Sequence, residues 1–264
     1  MLLEDLTWVE ARELVKKDPV VIVPTGSTEQ HGPHLPLKVD IASADYIARA
    51  VGDRTGSLVA PPLNFGYSEL WWNYPGTISF SAETYKAAIH DICASLIRCG
   101  FRKIFLLNGH NPNLILLQAA AYELIDKYEN QNISIGAGTY IFMAKEECDK
   151  IGENFTDGTH ANEMETSIML HLYPDLVKMD VAKELGKNYK MRRVIAFDQG
   201  AVIVNRWPDS DVYSGVYGNP SLASAEKGKA YLEALVDKIS EFIGNFSEGR
   251  YNPSRPEGVP AEGD

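Results

Sequence analysis

The sequence is poor in cysteine and in positive charge, and it has no long apolar run. Three cysteines occur among 264 residues, Cys93, Cys99 and Cys148. None forms a CxxC pair, so no disulfide framework is indicated. A reduced, cytoplasmic setting with all three thiols buried is expected. Lys plus Arg number 25 against 36 Asp plus Glu, a formal net charge of −11. Such an acidic chain lacks the electrostatic footprint of a nucleic-acid binder and matches an anionic membrane surface poorly. No apolar stretch approaches the ~20 residues that span a bilayer. The opening MLLEDLTWVE has no basic region followed by an apolar one, so no signal peptide is expected. The GxSxG, HExxH, Walker A and GxGxxG signatures are missing. GAGT at 136–139 begins like a dinucleotide loop but lacks its third glycine. No nucleic acid and no membrane are expected as partners; a small molecule or a protein is.

What is present is an ordinary globular composition, 45% hydrophobic and 23% charged. Short β-rich runs alternate with longer helical periods. Val20–Val23 and Lys103–Leu107 read as buried strands, and Ile133–Ala137 as a third. Val194–Phe197 and Ala201–Val204 are short strand candidates. Helical spacing is found over Asp40–Val51, Ser81–Arg98, Leu114–Tyr128, Met143–Ile151, Ala161–Leu172 and Ala223–Phe246. Asp40 is a candidate cap for its helix. This order predicts an α/β fold, with a mainly parallel sheet covered by helices on both faces. A single domain over residues 1–246 is expected, followed by a Pro/Gly-rich tail at 247–264. In such sheets the ligand site lies beyond the carboxyl ends of the strands.

Two of the strands run into polar, Gly-rich loops. The first, PTGSTEQHGPHLPLKVD at 24–40, carries Glu29, His31, His34 and Asp40. Glu29 and His31 are two apart, so in extended backbone they point the same way. Asp40 opens the next helix and can fold back over them. Two carboxylates and an imidazole suit Zn, Mn or Fe, and one carboxylate can bridge two ions. The second loop, NGHNPN at 108–113, places His110 at the tip of a neighbouring strand. A third segment, DGTHANEMETS at 157–167, holds His160, Glu163 and Glu165 at the start of a predicted helix. Spacing of three puts His160 and Glu163 on one face, with Glu165 turned elsewhere. Only one of these carboxylates need face the site.

With these motifs in view, the sequence resembles the creatininase (creatinine amidohydrolase) family. GSTEQHGPHLPLKVD matches that family's opening motif closely, and NGHNPN resembles its N-G-H-G-x-N. PGTIS at 75–79 and HANEMETS at 160–167 follow in the family's order. The resemblance implies a three-layer α/β/α sandwich and a centre of two divalent ions, Zn, Mn or Fe. By the matching positions, Glu29, Asp40 and His110 correspond to ligands of one ion. His31 and Asp40 correspond to ligands of the other, with Asp40 bridging. His160 corresponds to a general acid/base and Asp157 to a substrate-contacting acid. Creatininase itself carries a metal-binding Glu two residues after the NGH histidine, where this chain has Pro112. Asn111 stands where creatininase has an aromatic substrate contact. The departure argues against creatinine as the substrate. It also makes Glu165 the natural replacement ligand, with Glu163 left as the helix-surface residue.

The resemblance further implies hydrolysis of a small-molecule amide (lactam, cyclic amide or formamide) by a hydroxide bridging the ions. Ring opening of a cyclic ketone, such as an inositol-derived keto sugar, is the alternative. A non-catalytic metal-binding protein is an alternative of another class. Ser68, Trp71, Trp72 and Tyr74 precede PGTIS as an aromatic loop, which either walls the substrate pocket or makes an oligomer contact. Ser68, Trp71, Trp72 and Asn111 are the candidate substrate neighbours. A homohexamer is the assembly that the family suggests.

Overall fold

The computed structural model describes residues 1–153, 160–187 and 214–250. The strand candidates at 194–197 and 201–204 and the site candidate Asp157 lie outside these residues. Four strands form one sheet: β1 (Val20–Thr25), β2 (Leu58–Val59), β3 (Lys103–Asn108) and β4 (Ser134–Thr139). Their order is β2-β1-β3-β4, and these strands pair with one another in parallel.

The helices are α1 (Trp8–Val15), α2 (Val39–Thr55), α3 (Ala82–Cys99), α4 (Leu114–Lys127), α5 (Tyr140–Met143), α6 (Lys145–Asp149), α7 (Glu163–Leu172), α8 (Met179–Lys187) and α9 (Ala225–Ser247). Side chains alternate across a strand, and here each set meets a different core. Val20 and Ile22 of β1 and Phe105 and Leu107 of β3 pack with α2, α7 and α9. Val21, Val23, Ile104 and Leu106 pack on the other face with α3 and α4. The result is the expected three-layer α/β/α sandwich. With both faces covered, β1 is buried along its whole length.

Several local expectations change. Asp40 does not cap α2; Lys38 holds that position, and Asp40 is the second helical residue. Its carboxylate is occupied by histidines instead. The predicted helix over 143–151 is two short ones, broken at Ala144. The last helix runs through Ser247, the first residue of the expected tail. Cys93 and Cys148 are buried, but Cys99 is exposed at the end of α3. Burial pushes the Cys93 and Cys148 thiols up to about 12, which keeps them protonated. No described helix is long and apolar enough to cross a membrane.

Candidate metal centre

The candidate site gathers where the strand order predicts it, on the loops that leave β1 and β3. Glu29 and His31 follow β1, His110 follows β3, and Asp40 enters from the first turn of α2. The loops approach closely at one glycine. A Cβ on Gly109 would lie 2.3 Å from the Asp40 carbonyl oxygen, so a larger residue would push the β3 loop off α2. Asn108 then shapes the turn, with its Oδ1 accepting from His110 N at 3.1 Å and its Nδ2 donating to His110 O at 2.6 Å. Asn113 ties the neighbouring loops together. Its Nδ2 donates to Gly26 O at 3.0 Å and its Oδ1 accepts from Tyr67 N at 2.9 Å. Neither Asn108 nor Asn113 stood out in the sequence, although three asparagines in one hexapeptide are a turn-building signal.

Asp40 sits between two imidazoles. Its Oδ1 lies 3.1 Å from His31 Nε2 and its Oδ2 lies 3.1 Å from His110 Nδ1. Glu29 Oε1 is 3.2 Å from the same His110 nitrogen. Glu165 Oε1 is 4.0 Å from His31 Nε2. All five side chains are buried. The remote ring nitrogens are held by main-chain carbonyls: His110 Nε2 by Tyr67 O at 2.9 Å, His31 Nδ1 by Glu29 O at 3.2 Å. A carbonyl only accepts, so those nitrogens carry hydrogen and the opposite ones face the carboxylates. Such outer contacts are the usual way of fixing a ligating histidine.

Three groups in the described residues bring ligand atoms within 4.8 Å of one another: Glu29, Asp40 and His110; His31, Asp40 and Glu165; and Glu29, His31 and His160. Both Glu29 carboxylate oxygens, His31 Nε2 and Asp40 Oδ2 are buried without a hydrogen-bond partner. Leaving such atoms unmet costs ~1–3 kcal/mol each, more when charged. Four of them converging in one place fit a cation that none of the protein groups supplies.

The electrostatics agree. Burial alone would lower the His31 and His110 pKa values, but the facing carboxylates outweigh it. His31 rises to about 9 and His110 well above its ordinary value. Burial opposes ionisation of Asp40 as well, and the two histidines overcome it and hold Asp40 below the usual carboxylate range. Burial lifts Glu165 to about 7. In the protein alone, protons take the place that a cation would fill.

The third segment departs from its expected geometry. His160 precedes α7 and pairs with Tyr217 in a short antiparallel bridge, so helical spacing does not relate it to Glu163. Ala161 has a φ of +53°, which turns the chain between them. Glu165 therefore faces His31, held also by Ala161 N. Glu163 is not on the surface. It is buried and paired with Lys227 Nζ at 2.6 Å, and it accepts from Glu153 N at 3.1 Å. His160 Nδ1 lies 3.7 Å from Glu29 Oε1. Its ring stacks on Trp71 with centroids 4.5 Å apart and planes at 15°. Trp71 is thus buried against His160, whereas Trp72 is 58% exposed. Ser68 is buried, with its hydroxyl on Ser27 and 3.3 Å from His110 Nε2. Asn111 is half-buried in the turn after His110.

A buried carboxylate–imidazole cluster at the carboxyl rim of a parallel sheet defines an α/β enzyme with a place for cations. Comparison with known proteins makes this specific. The family described as Creatininase: Creatinine amidohydrolase matches residues 4–243. A 3-dehydro-scyllo-inosose hydrolase of Thermotoga maritima is 30% identical, over 93% of this chain and 83% of that one. The creatinine amidohydrolase of Pseudomonas putida is 30% identical, over 90% and 94%. A mycofactocin precursor peptide peptidase of Mycobacterium ulcerans is 28% identical, over 94% of each. A crystal structure of creatinine amidohydrolase superposes with a TM-score of 0.76 at 28% identity, covering 92% of this chain and 96% of that one. Solved creatininases described as a Zn-Zn type and as a manganese form, at 28% and 29% identity, each cover 92% of this chain and 96% of their own, with a TM-score of 0.74. The chain belongs to the creatininase family. It is a hydrolytic enzyme of the creatininase type, which sets aside the non-catalytic reading.

Proposed function

We propose that this enzyme cleaves an amide C–N bond in a small molecule (a lactam, cyclic amide or formamide) with two divalent ions held by the buried cluster. The observation that carries this reading is Asp40, whose two carboxylate oxygens face two different histidines. Glu29, Asp40 and His110 would hold one ion, and His31, Asp40 and Glu165 the other. Mixed carboxylate and imidazole donors suit Zn, Mn or Fe. Such ions supply an activated water at neutral pH and polarisation of the scissile carbonyl.

The chain's own residues do the rest. His160 stands beside the cluster with Nδ1 toward Glu29, where it can move a proton to the departing nitrogen. Burial, with the nearby charge of His31, holds its pKa well below the ordinary value. These surroundings favour the neutral form of its ring. Asp157, Ser68, Trp71, Trp72 and Asn111 are the proposed substrate neighbours. Trp71 offers its far side only, since His160 covers the other. Ser68 reaches substrate only if its contact with Ser27 or His110 opens. The reading includes a cytoplasmic homohexamer, for which light scattering should give six times the 29.3 kDa chain.

Ring opening of a cyclic ketone is the second reading, and the name of the Thermotoga maritima relative favours it. A panel of lactams, formamides and cyclic ketones, assayed with added Zn, Mn or Fe and after chelation, separates the two. Metal-dependent amide hydrolysis is expected. Turnover of ketones alone would replace the first reading with the second, and turnover indifferent to chelation would remove both.

A further inference from the structure

Gln30 lies between Glu29 and His31 in sequence, yet its side chain reaches His160. The amide is fixed at both ends. Oε1 accepts from Gly32 N at 2.9 Å, and Nε2 donates to Gly215 O at 3.1 Å. These two partners decide which end is oxygen and which is nitrogen. The fit is close. Gly215 has a φ of +65°, and a Cβ there would lie 2.1 Å from Gln30 Oε1.

The same amide nitrogen stands 2.8 Å from His160 Nε2. The main-chain oxygen of Gln30 stands 2.9 Å from that same ring nitrogen. One residue therefore offers His160 Nε2 both a donor and an acceptor. Trp71 covers one side of the imidazole, and His31 lies 4.3 Å away, centroid to centroid, tilted by 36°. The ring has little freedom to turn, and its other nitrogen looks toward Glu29.

We infer that Gln30 is the positioning residue of His160, holding the ring in one orientation while giving Nε2 a partner in either neutral tautomer. When Nδ1 carries the hydrogen, Nε2 accepts from the Gln30 amide. When Nε2 carries it, Nε2 donates to the Gln30 main-chain carbonyl and Nδ1 presents a lone pair. The ring thus keeps one orientation in both tautomers. Buried polar groups are stable only when partnered, so a residue that partners both states removes the penalty of switching between them. This inference rests on the proposed role of His160, and the test keeps the two apart.

The test is Gln30→Met in the full-length, zinc-loaded enzyme labelled with 15N-histidine. Methionine keeps the length and removes the amide, leaving the main-chain carbonyl. Wild-type His160 nitrogens should resonate between the two pure tautomers. In Q30M they should move to the Nε2–H tautomer, with two zinc ions retained. The kcat for the best substrate of the panel should fall ~10–100-fold with KM little changed, the effect of a misplaced group. Unchanged His160 resonances would overturn the inference. So would loss of zinc, which would mean that Gln30 supports Glu29 and His31 instead. Gln30→Glu serves if Q30M does not fold. Its carboxylate accepts but cannot donate, so the same movement is expected and its absence is equally fatal. His160→Ala, assayed alongside, tests the other claim. Turnover retained there would end the catalytic reading of His160, while the resonances would still report on Gln30.

Discussion

Asp40 Oδ2 and His110 Nδ1 lie 3.1 Å apart in the buried interior, and the oxygen has no hydrogen-bond partner. The other Asp40 oxygen stands in the same relation to His31. A carboxylate shared in this way is central to both proposed ligand groups. Asp40→Asn should therefore lower bound metal below one ion per chain and reduce turnover by more than the ~10²–10⁴-fold typical of losing an acid/base group. Elemental analysis of the purified variant beside wild type checks this. Retention of two ions would mean that Asp40 does not bridge.

His160→Ala should act differently. It should cost ~10²–10⁴-fold in kcat with both ions retained. Metal content and kcat measured on one preparation decide it. Loss of an ion would move His160 into the ligand set, as its grouping with Glu29 and His31 allows.

The buried pair of Glu163 and Lys227 predicts a stability effect away from the chemistry. Lys227→Met leaves the Glu163 carboxylate buried without its cation. Because the Lys227 side chain is 25% exposed, the loss should be about 2–3 kcal/mol, below the range for fully buried pairs. The double variant with Glu163→Gln should recover much of it. Denaturant melts of wild type, both single variants and the double variant measure the coupling. A loss in the double variant equal to the sum of the two single losses would show no coupling.

The raised histidines predict a pH dependence for the metal-free enzyme. His31 titrates near 9 in the fold against 6.5 when unfolded, and His110 is raised in the same direction. Groups raised on folding contribute their full stability below the unfolded value and lose it as pH rises through the folded one. The chelated protein should therefore lose stability between pH 7 and 9. The metal-loaded protein should not, because its histidines are already deprotonated. Metal uptake should release protons at pH 7, and calorimetry in buffers of different ionisation enthalpy counts them. Uptake without proton release would contradict the assignment of His31 as a ligand.

The strands were legible where apolar residues run unbroken, as in β1 and β3, and the loops after them named Glu29, His31, Asp40 and His110. β2 was not, because two residues carry no periodicity. Helix α8 and the start of α7 were missed or displaced for local reasons. A positive φ at Ala161 leaves no mark in an alanine, yet it turns the chain between His160 and α7. Trp71 and Trp72 are adjacent and identical in type. Contacts with His160, Tyr74 and Tyr217, distant or unpatterned in sequence, hold the first inside. Gln30 stayed hidden because its partners, Gly215 and His160, are 185 and 130 residues away.

The most direct test is anomalous diffraction at the zinc edge from crystals of the zinc-loaded enzyme. Two peaks per chain are expected, ~3.5–4 Å apart as in other two-ion sites, with Asp40 touching both. A single peak, or two that do not share Asp40, would contradict the account.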